Sequence, residues 1–297
     1  MKTMIRSVAG WVRNRPRLAK SVLRCMPDFR RTVHVPSIGP FEIRARTDRS
    51  YWLRSPINDG WFFGGLRSFI RPDDVVYDLG AHIGLYTRFF ATVCGASRVY
   101  SFEPATANRA LLQRNVDLGG ITDRTTVLPF AVGDSDGEEV FQLDQAHSQS
   151  GALYRIRNGA SSTAELWYGI RSATQVVPVC RLDTLVDKGL ILPPNVMKID
   201  IEGAEGLALR GAAETLRRFS PRLAIELHGP SCVRDVVGIL QDAGYHMFAR
   251  VLEGDGRRYT QLTPSLCESL HGEYDVQYLH ASKDLADVAT ELPEYVV

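Results

Sequence analysis

The stretch Asp78-Leu79-Gly80-Ala81-His82-Ile83-Gly84 follows the apolar run Val75-Val76-Tyr77 and precedes a segment, Leu85 to Val93, with helical apolar spacing. A glycine turn between strand and helix lets the backbone approach a ligand and adopt dihedrals that are costly for other residues. Ligands of open α/β sheets bind beyond the carboxyl ends of the strands, at the switch point. A nucleotide-like cofactor is therefore expected here. The spacing is D-x-G-x-x-x-G, whereas a dinucleotide fingerprint needs G-x-G-x-x-G to seat a pyrophosphate on the helix N-terminus. An acid before the first glycine repels a pyrophosphate. It suits the cationic end of S-adenosylmethionine, whose amino and sulfonium groups are positive.

Outward from this loop the chain alternates strands with amphipathic helices. Arg98–Phe102 reads as the second strand, followed by a helix over Ala107–Val116, and Thr126–Phe130 as the third. Val196–Ile199 and Leu223–Leu227 are the fourth and fifth, with helices over Glu205–Arg217 and Val233–Ala243. Near-continuously apolar strands between helices imply an α/β fold, a parallel sheet covered on both faces. Tyr245–Arg250 and Val276–His280 can close it as a hairpin. The rhythm breaks between Val132 and Val176, where Asp144–Ser150 and Asn158–Ser162 are polar, and a loop of such length usually carries function or disorder. Glu103 ends the second strand about 20 residues beyond the glycine loop, where an acid accepts hydrogen bonds from ribose hydroxyls.

Several stretches resemble the FkbM-type methyltransferases: Val76–Thr87 (VYDLGAHIGLYT), Phe102-Glu103-Pro104 with Asn115, Ala131–Gly137 (AVGDSDG), Arg181–Leu185 (RLDTL), Met197–Glu205 (MKIDIEGAE) and Ile225–His228 (IELH). The resemblance covers residues 70–250. It implies a Rossmann-like class I methyltransferase fold, a seven-stranded, mostly parallel sheet with only the last strand antiparallel. It also implies S-adenosylmethionine as cofactor and O-methylation of a sugar, polyketide or similar small metabolite. Carried over by residue, Asp78, Gly80, Ala81, His82 and Gly84 frame the methionine moiety, Glu103 the ribose, and Ala131 and Val132 the adenine. His82 departs from the asparagine often found there. The domain expected from these limits is residues 71–297, with residues 1–70 an N-terminal appendage of helix and short strands.

The reacting centre is expected at the ends of the fourth and fifth strands. Asp200 ends one, and Glu226 and His228 flank the end of the other on one side, because their spacing is two. Removing a hydroxyl proton needs a positioned base or a divalent metal that acidifies the hydroxyl. Asp200, Glu226 and His228 suit the first scheme, with His228 as the base to test. Asp200 and Glu226 suit magnesium or manganese in the second. Glu202 and Glu205 open a helix, and complementing its dipole is the simpler reading of both.

The whole-chain composition is that of an ordinary globular protein, and a net charge of +1 gives no push toward nucleic acid. The charge is uneven. Lys2, Arg6, Arg13, Arg15, Arg17, Lys20, Arg24, Arg30 and Arg31 crowd residues 1–31 against Asp28 alone, and the C-terminus leans acidic. Residues 1–25 have the spacing of a basic amphipathic helix, kinked at Pro16. It is expected either as a lid over the domain or as a helix on an anionic membrane surface. The five cysteines are scattered, which argues for reduced thiols in a cytosolic protein. Two further readings are a nicotinamide-dependent oxidoreductase and a non-catalytic cofactor-binding module at a membrane. The glycine spacing opposes the first, and Asp200, Glu226 and His228 oppose the second.

Overall fold

A computed structural model describes residues 27–48, 66–67, 69–143, 152–153, 173–253, 256–268, 276–285 and 287. The expected N-terminal helix and the polar stretches Asp144–Ser150 and Asn158–Ser162 lie outside these residues. No helix among the described residues is long and apolar enough to cross a membrane.

The main sheet is built from β3 (Val75–Leu79), β4 (Arg98–Phe102), β5 (Thr125–Leu128), β10 (Val196–Ile199), β11 (Arg222–Glu226), β12 (His246–Glu253), β13 (Gly256–Gln261) and β14 (Val276–Ser282). Their order is β13-β12-β14-β11-β10-β3-β4-β5. β5, β4, β3, β10 and β11 run parallel. The expected count of seven, antiparallel only at the last strand, needs one correction. β14 is antiparallel to β11 as expected, but β13 hairpins back along β12 and adds an eighth, antiparallel edge strand.

Side chains alternate across this sheet with the period of two that a pleated strand imposes. Tyr77, Leu79, Tyr100, Phe102, Met197, Ile199, Leu223 and Ile225 enter one core. Val76, Val99, Val196 and Ala224 enter the other. The second face is covered by α1 (Leu85–Thr92) and α2 (Thr106–Leu118), through Phe89, Phe90, Leu111 and Leu112. The first is covered by α3 (Leu182–Asp187), α4 (Glu205–Arg210), α5 (Ala213–Phe219) and α6 (Pro230–Asp242).

The single helix expected over Glu205–Arg217 is two helices. A Cβ at Gly211 would lie 1.9 Å from the Gly133 carbonyl oxygen, so the chain turns where two backbones touch. Asp183 of the RLDTL motif then starts α5: its carboxylate accepts from the backbone N–H of Glu214 and Thr215 and from the Thr215 hydroxyl. These bonds satisfy donors that a helix start leaves without partners.

Two smaller pieces complete the architecture. β6 (Ala131–Val132), β7 (Gly137–Leu143), β8 (Ala152–Leu153) and β9 (Ala173–Cys180) form a second sheet of order β6-β9-β7-β8. It occupies part of the stretch where the strand–helix rhythm fails. β1 (Arg30–Val35) and β2 (Gly39–Arg44) pair as an antiparallel hairpin. The hairpin does not stand apart from the sheet, because Val35, Ile38, Phe41 and Ile43 share a core with Val76, Ile83 and Phe90. Arg88 of α1 binds the Ile38 and Pro40 carbonyls, and the Asn115 side-chain amide of α2 accepts from the Glu42 N–H and donates to the Glu42 carbonyl.

Candidate active site

β3 and β10 are neighbours whose connections leave in opposite directions, so their carboxyl ends flank the switch point where ligands of such sheets bind. The glycine loop after β3 is held against both adjacent strands. Gly80 and Ala81 donate their N–H groups to the Phe102 carbonyl. Gly80 has φ +78°, and a Cβ there would fall 2.0 Å from the Asp200 carbonyl oxygen. Gly84 has φ +91°, and its Cβ would meet Leu112 at 2.5 Å. Gly80 is required by space as well as by dihedral angle, and Gly84 by its dihedral angle. His82 and Glu202 are non-glycine residues at positive φ, 52° and 56°. Such backbone persists where its surroundings over-determine it, often at functional sites.

Asp78 is fully buried. It pairs across the sheet with Lys198, its register partner, so both side chains emerge on one face. Lys198 Nζ lies 3.3 Å from Asp78 Oδ1 and 3.4 Å from Asp200 Oδ2, and it donates to the Gly80 carbonyl. Thr87 donates to Asp78 Oδ2 at 2.7 Å. Burial opposes a charge on Lys198, yet Asp200, Asp78 and Glu226 together raise its affinity for the proton. The pair holds the loop from beneath, with Asp78 turned inward toward an ammonium. Lys198 was legible only as a charge inside the apolar strand VMKI.

Glu103 follows β4 directly, with its side chain almost wholly buried. Its Oε2 accepts from the His82 N–H at 2.9 Å, and its Oε1 from the Ala105 N–H at 2.8 Å and from Asn108 Nδ2 at 3.4 Å. Burial pushes its pKa up to about 7 against the pull of those donors. His82 is largely enclosed, and desolvation of its ring lowers its pKa to about 4 and keeps it neutral. Ala81 packs into the core beside Ile83. Ala131 and Val132 are also buried: Ala131 packs with Ala105 and Ala204, next to the ends of β4 and β10, and Val132 lies in the opposite core cluster.

Asp200, Glu226 and His228 come together at the ends of β10 and β11. His228 Nε2 lies 3.8 Å from Asp200 Oδ1 and 4.0 Å from Glu202 Oε2. Its Nδ1 lies 2.9 Å from Glu205 Oε1. Burial alone would lower the His228 pKa, but the Glu205 hydrogen bond and the charges of Glu205, Glu202 and Asp200 raise it to about 10. These acids favour the protonated ring at neutral pH, and a protonated ring has no free lone pair with which to act as a base. Glu226 is held well above the usual carboxylate range, by burial first and by Asp200 second.

Glu205 does more than complement a helix dipole. It is fully buried, accepts from the Ile201 and Gly203 N–H groups and from Cys232 Sγ, and so clamps the Asp200–Glu205 turn. Nothing in the described residues supports the expected magnesium or manganese at Asp200 and Glu226. Among the described residues no group of three or more His, Cys, Asp or Glu could hold a metal ion, and an ammonium already stands beside Asp200.

The family model described as methyltransferase FkbM domain matches residues 78–247. The hexuronic acid methyltransferase AglP of Haloferax volcanii is 26% identical over 172 residues, covering 58% of this chain and 63% of that protein. The methyltransferase sdnD of Sordaria araneosa is 24% identical over 189 residues, covering 57% of this chain and 73% of that one. Among solved structures, methyltransferase FkbM from Methylobacillus flagellatus superposes with a TM-score of 0.45 at 19% identity, covering 72% of this chain and 47% of that one. The chain thus spans less than two thirds of the length of AglP. A match over more than half the chain opposes the oxidoreductase reading and shows the family: the chain belongs to the FkbM methyltransferase family.

Proposed function

We propose that this enzyme methylates a hydroxyl oxygen of a small metabolite, with a sugar as the first acceptor to test. The observation that carries the reading is the approach of Gly80 to the Asp200 carbonyl. It sets the cofactor loop against the strand ends that bear Asp200, Glu226 and His228. Asp78, expected at the methionine end, is instead buried against Lys198 and supports the loop from beneath. That leaves Glu103 and Asp200 as the acids proposed to face a cationic cofactor with ribose hydroxyls. Glu103 is assigned to the ribose, Gly80, His82 and Gly84 to the methionine end, and Ala131 and Val132 to the wall beside adenine.

When bound, the sulfonium supplies a methyl carbon to the acceptor oxygen as its C–S bond breaks and the electron pair returns to sulfur. The chain's part is to align the acceptor and remove its proton. Alignment is worth at best about 7–11 kcal/mol. Glu226, with its raised proton affinity, is the proposed proton acceptor, since a base works best with a pKa near the operating pH. Asp200, between the Lys198 ammonium and the His228 imidazolium, orients the hydroxyl as a hydrogen-bond acceptor. His228 is a fixed positive charge, not a base.

AglP is named for a hexuronic acid, an acceptor class with both hydroxyl and carboxylate oxygens. The test is incubation with S-adenosylmethionine and a panel of neutral sugars and hexuronic acids, read by mass spectrometry. A methyl group that survives mild alkali is an ether and supports the proposal. One released by alkali is an ester on a carboxylate and overturns the hydroxyl assignment.

A further inference from the structure

The hairpin carries a polar chain that ends on the cofactor loop. Arg44 binds Asp48 through Nε at 3.1 Å and Nη2 at 3.3 Å, and Asp48 Oδ2 also accepts the Arg44 backbone N–H at 2.7 Å. The same Nη2 donates to Asn108 Oδ1 at 2.6 Å. Asn108 Nδ2 then faces Glu103 Oε1, and Glu103 Oε2 holds the His82 N–H. The path closes on itself, because His82 Nε2 approaches Asp48 Oδ1 at 3.6 Å. Asp48, Glu103 and Asn108 are all buried.

We infer that Arg44 is a positioning residue of the cofactor site, setting which end of the Asn108 amide faces Glu103. An asparagine amide has one accepting and one donating end of nearly equal size, and the surrounding hydrogen bonds decide between them. The guanidinium takes the accepting end, so the donating end is left for the Glu103 carboxylate. Without the guanidinium the amide can turn and set an oxygen against that carboxylate. The planar fork of arginine reaches Asp48 and Asn108 at once, which a lysine ammonium does not reproduce. Residues 30–48 therefore shape the ribose end of the cofactor site from outside the motifs of the main domain. The inference rests on the assignment of Glu103 to the ribose.

The test is calorimetric titration of the full chain with S-adenosylhomocysteine, for the parent protein and the variants Arg44→Lys, Arg44→Met, Asn108→Ala, Arg44→Met with Asn108→Ala, and Glu103→Gln. Arg44→Lys keeps a positive charge beside Asp48 and guards against loss of the fold, checked by thermal unfolding. The expected loss of affinity is about tenfold for each Arg44 variant, the size of one charge-assisted hydrogen bond. In the Asn108→Ala background the Arg44→Met effect is expected to shrink to about twofold or less, as it must if the two act as one unit. Arg114→Ala, which breaks the exposed bridge to Glu42 of the same hairpin, should leave affinity unchanged. Parent-like affinity in a folded Arg44→Lys protein, or losses that simply add, beside a weakened Glu103→Gln protein overturns the positioning role alone. Parent-like affinity in Glu103→Gln as well overturns the ribose assignment, and the positioning role with it.

Discussion

His228 Nδ1 lies 2.9 Å from Glu205 Oε1, a carboxylate with no exposure of its own. That contact ties α4 to the segment after β11 and favours the protonated ring. It also gives the fold a pH dependence with a defined sign.

The His228 pKa is raised in the folded protein, to about 10 from an ordinary 6.5. Its contribution to stability is therefore fully present below the unfolded value and lost as pH rises through the folded one. Melting temperature should fall between neutral pH and about pH 10 more steeply in the parent protein than in His228→Gln. The variant should also be less stable at neutral pH, since buried Glu205 loses a partner. Parallel pH profiles for the two proteins would show that the ring is not held as a cation.

Gly80 is the most constrained position of the cofactor loop. Gly80→Ala puts a methyl group 2.0 Å from the Asp200 carbonyl oxygen at a φ of +78°, where an alanine is strained as well as crowded. Destabilisation of about 2 kcal/mol or more, with loss of cofactor binding, is expected. Chemical denaturation checks the first and titration with S-adenosylhomocysteine the second. A variant with parent stability would mean that β3 and β10 do not approach this closely.

The parallel sheet and the strand ends of the candidate site were legible because apolar runs such as Val196–Ile199 and the glycine loop are local patterns. What escaped the sequence is long-range. Lys198 binds Asp78 because two strands far apart in the chain lie in register, which no local spacing reveals. Glu205 looks like any acid in a first helical turn, and only the fold brings His228 and Cys232 onto it. The edge strand β13 was missed because residues 254–262 show no long apolar alternation. The second sheet was missed because β7 and β9 mix polar and apolar residues and β6 and β8 are two residues each.

Glu103 offers a pH test of cofactor binding. Burial raises its pKa to about 7, and the ionised form accepts hydrogen bonds without donating one. Affinity for S-adenosylhomocysteine should therefore rise between about pH 6 and about pH 8 and then level off. Glu103→Gln should remove most of this dependence and bind at least about tenfold more weakly at the upper pH, given the strength of hydrogen bonds to charged groups. The Arg109 charge draws the Glu103 pKa down, and desolvation keeps the neighbouring His82 ring neutral. Equal pH profiles for parent and variant would remove Glu103 from the cofactor site.

The sharpest separation of schemes lies in Glu226→Gln and His228→Gln measured side by side. A base acts on the proton in flight, so Glu226→Gln should lower kcat by about 10²- to 10⁴-fold while cofactor affinity stays near that of the parent. In the parent, kcat should climb as pH rises above neutral, because burial and Asp200 hold Glu226 protonated at lower pH. His228→Gln removes a cation, not a base, and should leave that climb in place while lowering kcat at every pH. The imidazolium stands 3.8 Å from Asp200, so its loss disturbs the acid that orients the acceptor. EDTA should leave turnover unchanged, since the Lys198 ammonium already stands beside Asp200. A pH profile that persists in Glu226→Gln but vanishes in His228→Gln would return the role of base to the histidine. Activity lost to EDTA and restored by magnesium or manganese would instead give Asp200 a metal to hold.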